Sequence, residues 1–322
     1  MTIGENLTTF HGLAVVEYDF AGGIADPQGT AYRLNLGEDD SLLDALEGVD
    51  DDLDDAEQYR LVIERLAADP KAAELRALVI GEWVEPFEMD ASPILEALIA
   101  NAALFPALEA LFVGDLTYEQ CEMSWLQTVD DYGPLLGAFP GLARLGFRGD
   151  GPGLGNGIQH EGLRALSVQS GGLPGRLVGQ VCAAQLPNLE ELELWIGTGN
   201  YGCTTSVEML TPLLSGKLFP KLRRLALKNA HNADDLAQAV ASAPLLGRLE
   251  SLDLSLGTLG DAGVEALLAS PGVAKLQRLD VSRHYCSPEV IGRLQALEGV
   301  EVAAADGQGP AGAEDRYVMV GE

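Results

Sequence analysis

The stretch “PNLEELELWIGTGNYG”, residues 187–202, places leucine at 189, 192 and 194 with glutamates between them. Side chains alternate along an extended segment, so Leu192 and Leu194 face one way while Glu191, Glu193 and Trp195 face the other. The same L-x-x-L-x-L spacing, with Val, Ile or Phe allowed at the last place, starts at residue 75 as “LRALVI” and continues as “LEALFV” (108), “LARLGF” (142) and “LRALSV” (163). After “LEELEL” (189) come “LRRLAL” (222), “LESLDL” (249), “LQRLDV” (276) and a weakened “LEGVEV” (297). These nine copies follow at intervals of 33, 34, 21, 26, 33, 27, 27 and 21 residues. One unit cannot bury its apolar face alone, so each reads as a strand and a return segment stacked on its neighbour.

The pattern is that of leucine-rich repeats. Several return segments carry apolar residues at helical spacing: “PILEALIANAALFP” (93–106), “NADDLAQAVASAP” (232–244) and “DAGVEALLASPG” (261–272). Strand followed by helix at 27-residue spacing resembles the ribonuclease-inhibitor type of repeat. The expected fold class is α/β: a leucine-rich-repeat solenoid with a parallel sheet on its concave side and helices and loops on its convex side. The third, fifth and seventh places of each hexad then face outward, giving Arg144, Gly146 and Arg148 on one strand and Arg224, Ala226 and Lys228 on another.

A solenoid exposes core leucines at its ends unless they are covered. “LAVVEYDF” (13–20) and “TAYRLNL” (30–36) read as two strands joined by a Gly/Pro-rich link, and are expected to form a small N-terminal β-hairpin cap. The stretch between Arg33 and Arg60 has no base. Its run Asp50 to Asp55 lacks the glycine that a helix-loop-helix calcium loop requires, and its flanks “SLLDALEGV” and “AEQYRLVIERLAADP” look helical, so it reads as a solvated acidic face. The expected organisation is a hairpin and acidic helical cap over 1–70, about nine units over 71–304, and a tail over 305–322 whose apolar “YVMV” folds back on the last repeat.

Composition limits the partners. With 322 residues and 47% apolar content, the chain can build a substantial core. Its formal charge is −29, laid down unevenly: residues 1–143 hold 29 acids against 5 bases, residues 144–322 hold 20 against 15. Affinity for nucleic acid comes mainly from neutralising phosphates, so that class is set aside. A basic protein partner is electrostatically compatible, and so is a surface that merely keeps the chain in solution. No apolar run has the length of a membrane span and no leader pattern opens the sequence, so a membrane role is not expected and a cytoplasmic location is. Cys121, Cys182, Cys203 and Cys286 show no paired spacing, which fits free thiols.

The long intervals put extra residues after three strands, in “GEWVEPFEMDAS” (81–92), “GDLTYEQCEMSWLQTVDDYG” (114–133) and “WIGTGNYGCTTS” (195–206). All three tryptophans, Trp83, Trp125 and Trp195, fall there with Tyr118, Tyr132 and Tyr201, and are expected to share one rim. Such aromatics anchor interfaces, or else form the private cores that long loops need. Arg144 and Arg148 are the first bases after the base-free stretch Ala77 to Ala143. They are set to meet an anionic ligand or to pair with Asp115 or Glu119. The candidate partner-binding residues are therefore Trp83, Asp115, Tyr118, Glu119, Trp125, Arg144, Arg148, Glu191, Glu193, Trp195, Tyr201 and Lys228.

No catalytic set emerges, and no cofactor or metal is expected. “GDGPGLGNG” (149–157) is glycine-rich, but it lacks a following helix and a Gly-Lys-Ser/Thr, and reads as a helix-free return. His11, His160, His231 and His284 fall in different units, and His284 with Cys286 supplies two ligands where a metal site needs three or four.

Three segments, “GIADPQGTAYRL” (23–34), “GDLTYEQCEMSWLQ” (114–127) and “DLSLGTLGDAGVEALLAS” (253–270), with “ELWIGTGNYG” (193–202) and the closing “RYV”, resemble signatures of an uncharacterised family of stand-alone bacterial leucine-rich-repeat proteins. The resemblance implies the repeat solenoid and no established activity. Its genes neighbour radical-SAM and ATP-grasp-type enzymes in some bacteria, which implies an accessory role. The functional expectation is a non-enzymatic module that binds a protein or peptide through its concave face and aromatic rim. The alternatives are a small-molecule or anion binder, including an accessory subunit of a biosynthetic enzyme system, and an acidic decoy whose binding collapses with added salt.

Overall fold

In the computed structural model, which describes residues 4–37 and 53–321, one sheet runs the length of the chain. Its strands lie side by side in chain order: β1 (Thr9–Phe10), β2 (Leu13–Glu17), β3 (Thr30–Leu36), β4 (Ala77–Trp83), β5 (Ala110–Val113) and β6 (Arg144–Arg148). Next come β7 (Ala165–Gln169), β8 (Glu191–Gly197), β9 (Arg224–Ala230), β10 (Ser251–Asp253), β11 (Arg278–Asp280) and β12 (Glu301–Ala303). Only β1 and β2 pair antiparallel; every later neighbour is parallel.

Hexad spacing sets the register. The third place of each unit pairs with the third place of the next, from Ala77↔Ala110 and Ala110↔Arg144 through to Ser251↔Arg278. The last hexad is displaced: Arg278 pairs with Glu301, two residues beyond the expected Gly299. Gly299 sits at φ +80° in the turn before the strand, and Val302 takes the inward place beside Leu279. A two-residue slip keeps every side chain on its face, so the weakened motif tolerates it.

The hairpin expected of residues 13–20 and 30–36 is not there. β2 and β3 are parallel, with the long segment 18–29 crossing between them. The hairpin lies one strand earlier, between β1 and β2, where His11 at φ +52° and Gly12 at φ +75° supply the two positive φ angles of a tight primed turn. β3 itself occupies a hexad position. Tyr32 pairs with Leu78, which puts Gly29 in the first leucine place and hides the unit from a leucine-based pattern.

Return segments close the other side of the core. Helix α1 (Asp55–Ala68) opens with a reciprocal cap between Asp54 and Glu57 and buries Tyr59, Val62, Ile63 and Leu66. It is followed by α2 (Ser92–Ala100), α3 (Gly133–Ala138), α4 (Gly175–Ala183), α5 (Thr211–Leu214), α6 (Ala233–Ala241), α7 (Asp261–Ala269) and α8 (Pro288–Gln295). The helices expected in 93–106, 232–244 and 261–272 are α2, α6 and α7. Residues 149–157 form the helix-free return foreseen for them. “SLLDALEGV” and most of the Asp50–Asp55 run lie outside the described residues. The fourth- and sixth-place side chains, such as Leu145, Phe147, Leu192 and Leu194, are completely buried or nearly so in one continuous cluster.

The tail does not stop at the last unit. Arg316 pairs with Asp234 at 2.8 Å, Met319 N–H donates to Leu256 O, and Asn229 exchanges two hydrogen bonds with the backbone of Val320. Val320 is thereby carried back to Trp195, Met123 and Leu256, with which it forms a separate buried cluster. Tyr317 stays near the end of the solenoid, hydrogen-bonded to Arg283 and Tyr285, while Val320 reaches Trp195, four strands from β12.

Candidate functional site

The outward sheet face is covered at its N-terminal end. Leu7 and Phe10 pack on Ala31, Ala77, Val79, Ala110 and Phe112. Asp115, fully buried, holds that segment: its carboxylate accepts the Leu7 N–H at 3.0 and 3.1 Å and the Arg33 Nε–H at 2.8 Å. Arg33 also donates to Leu7 O and pairs with Glu17. Arg148 approaches the same carboxylate at 4.0 Å while donating to Gln169 Oε1 and Leu116 O. Burial draws the Arg148 guanidinium below its ordinary pKa, and Asp115 and Glu193 oppose the shift.

Beyond this cover, β6 to β10 leave a depression of about 470 Å³ between the N-terminal segment and Asp253. Its floor is small because the middle outward row reads Gly146, Ser167 and Ala226 around Glu193. Gly146 is required here. A β-carbon there would lie 2.5 Å from the Phe112 ring, which stands edge-on to Phe10 with centroids 5.9 Å apart. Gly146→Ala is expected to cost about 1–3 kcal/mol, because the ring must leave its place; a lowered urea midpoint with unchanged slope would register it.

Charges cross the depression in pairs. Glu191 accepts from Arg144 at 2.7 Å and from Arg224. Burial alone would raise its pKa, but the two guanidiniums hold the carboxyl below the usual glutamate range. Glu193 accepts from Ser167 at 2.9 Å, Trp195 Nε1 at 2.9 Å and Gln169 at 3.3 Å. The Lys228 ammonium lies 5.3 Å from the Trp195 ring centroid and 3.6 Å from Asp253. Burial pushes the Asp253 carboxyl up, and Lys228 works against that.

The expected aromatic rim is not a single surface. Trp83 is 1% exposed and its Nε1–H donates to Met89 O inside its own loop. A register shift puts four residues, Ile80 to Trp83, against three, Leu34 to Leu36, and that bulge turns the ring into the core. Trp195 points outward as its place demands, yet it is 2% exposed beneath Val320. Tyr132 is buried and stacked on Phe147, and Tyr201 is half-buried beside Gly321. Trp125, Tyr118 and Glu119 remain exposed. Trp83 and Asp115 are buried, and neither lines the depression. The depression gathers Arg144, Glu191, Glu193 and Lys228 with the covered side chains of Arg148 and Trp195. It also gathers Arg224, already placed outward by its hexad, and His11, Ser167, Gln169 and Asp253, which were not singled out from the sequence. Reading the outward places across successive intervals would have found all of these but His11.

In the His284–Cys286 pair, Cys286 N–H donates to His284 Nδ1, and burial pushes the thiol up to about 12. Among the described residues, no three His, Cys, Asp or Glu side chains are placed to hold a metal ion, and no helix is long and apolar enough to cross a membrane.

No family model and no curated protein matches the chain. Among solved structures, a protein from Bacteroides fragilis is similar over 80% of this chain and 72% of its own, with a TM-score of 0.74 at 28% identity. An internalin from Listeria monocytogenes aligns over 92% of this chain and 87% of its own, with a TM-score of 0.34 at 16% identity. The Bacteroides protein shares the fold.

Proposed function

We propose that the chain is a leucine-rich-repeat solenoid acting as a non-enzymatic interaction module, and that it takes a protein or peptide segment on the outward face of β6 to β10. The observation that carries the reading is the depression itself: side chains of five adjacent strands converge in it, and the apolar N-terminal segment closes one end. Parallel strands about 4.8 Å apart make β6 to β10 about 19 Å wide, room for five or six residues of extended peptide. Mixed charge on the walls favours a partner with both signs over a purely basic one.

Affinity capture from bacterial extract, with Arg144→Glu and Glu191→Lys beside the parent chain and the rear-face variant Glu265→Gln, tests it. Both face variants should lose one and the same protein while the rear-face variant keeps it. Equal recovery by all four chains would remove the outward face from consideration.

A further inference from the structure

The register isolates one hollow within the depression. Ala226 on β9 stands level with Glu193 on β8 and with Asp253 on β10. On its own strand it lies two places from Arg224 and two from Lys228. With strands about 4.8 Å apart and about 6.6 Å between alternate residues, a methyl group is ringed by two carboxylates across the strands and two cations along them. All five residues line the same cavity.

The existing bonds leave capacity in this ring. All three donors to Glu193 converge on Oε1. Among the described residues Oε2 receives none, and it is not among the buried atoms without a partner, so it is accessible at the cavity that Glu193 lines. Lys228 is mostly covered, with 12% of its side chain exposed. Among the described residues its ammonium has no hydrogen-bond acceptor, since 3.6 Å to Asp253 Oδ2 exceeds hydrogen-bond range. Arg224 donates to Glu191, whereas Lys228 is ion-paired with Asp253 without a hydrogen bond, so its N–H groups can donate to a ligand.

We propose that this hollow binds the head group of a free α-amino acid, with its ammonium between Glu193 and Asp253 and its carboxylate at Lys228. The ring sums to zero charge. A simple anion would meet the two carboxylates, and a simple cation would meet Lys228 and Arg224, whereas a zwitterion satisfies both sets at once. The proposal rests on the depression being a binding surface and names one chemistry it takes.

Titration calorimetry of the full chain with each of the twenty proteinogenic L-amino acids at millimolar concentration tests it. At least one should bind saturably. Its N-acetyl derivative, which loses the ammonium, and its methyl ester, which loses the carboxylate, should each bind at least tenfold more weakly, as should the parent compound to Glu193→Gln and to Lys228→Met, the loss expected for one charge-assisted bond. Ala226→Leu, which fills the hollow, should abolish binding while circular dichroism stays unchanged. Because the two derivatives test the ligand side, a variant that misfolds does not shield the idea. Absence of saturable binding by all twenty, or an N-acetyl derivative that binds as tightly as its parent, overturns it. A chain that binds none of them yet loses its protein partner on Arg144→Glu discards this inference and keeps the reading above.

Discussion

Replacing Asp115 by alanine should lower the stability of the chain by about 3–5 kcal/mol and free residues 4–12 from the sheet. Asp115 is wholly buried, and two guanidiniums, Arg33 and Arg148, lie against it with side chains 8% and 4% exposed. Removing the carboxylate leaves both charges in low dielectric, Arg33 with only Glu17 and Leu7 O, Arg148 with Gln169 and Leu116 O. It also leaves the Leu7 N–H without its acceptor. Asp115→Asn keeps an acceptor but not the charge, and should fall between the parent and the alanine variant. Urea unfolding measures the loss. Protease cleavage within residues 4–12 and faster exchange of the Leu7 amide measure the release, and a variant with an unchanged midpoint would refute the latch. Release matters for the site because Leu7, Phe10 and His11 form one wall of the depression.

Nothing in the spacing of residues 4–12 foretold that wall. The hexads specify which side chains face inward and which strands are neighbours, because both follow from a period of two and a repeat length. Strand pairing from β4 to β11 was therefore legible in residue numbers alone. What the spacing leaves open is what lands on the outward face. Asp115 looked like a surface acid beside Arg148 because its partners, Leu7 and Arg33, lie 108 and 82 positions away. Trp83 failed for a local reason: a one-residue bulge reverses the facing of everything after it, and a bulge has no leucine signature. The outward facing of Glu193 and Lys228 followed from parity, since β8 and β9 keep one register to their last paired residue.

Trp195 calls for the C-terminal segment, and truncation after Gly312 should expose it. The tail contributes Val320 to the cluster with Met123, Trp195 and Leu256, two hydrogen bonds to the buried Asn229, and the Arg316–Asp234 pair. Burying a valine is worth about 1.5–3 kcal/mol and each hydrogen bond about 0.5–1.5. Less the entropy of ordering the segment, the truncated chain should lose about 2–4 kcal/mol. Trp83 stays in the core and Trp125 is already 61% exposed, so a Trp125→Phe background isolates the signal. In that background truncation should shift tryptophan emission to the red and raise its quenching by acrylamide, and Val320→Asp at full length should do the same. Lys228 lies over the Trp195 ring, and Glu193 accepts its N–H. A tail that positions Trp195 therefore also positions the two side chains with open hydrogen-bonding capacity. Unchanged emission on truncation would mean that the sheet holds the ring without the tail, and that the depression keeps its shape when the C-terminal segment leaves.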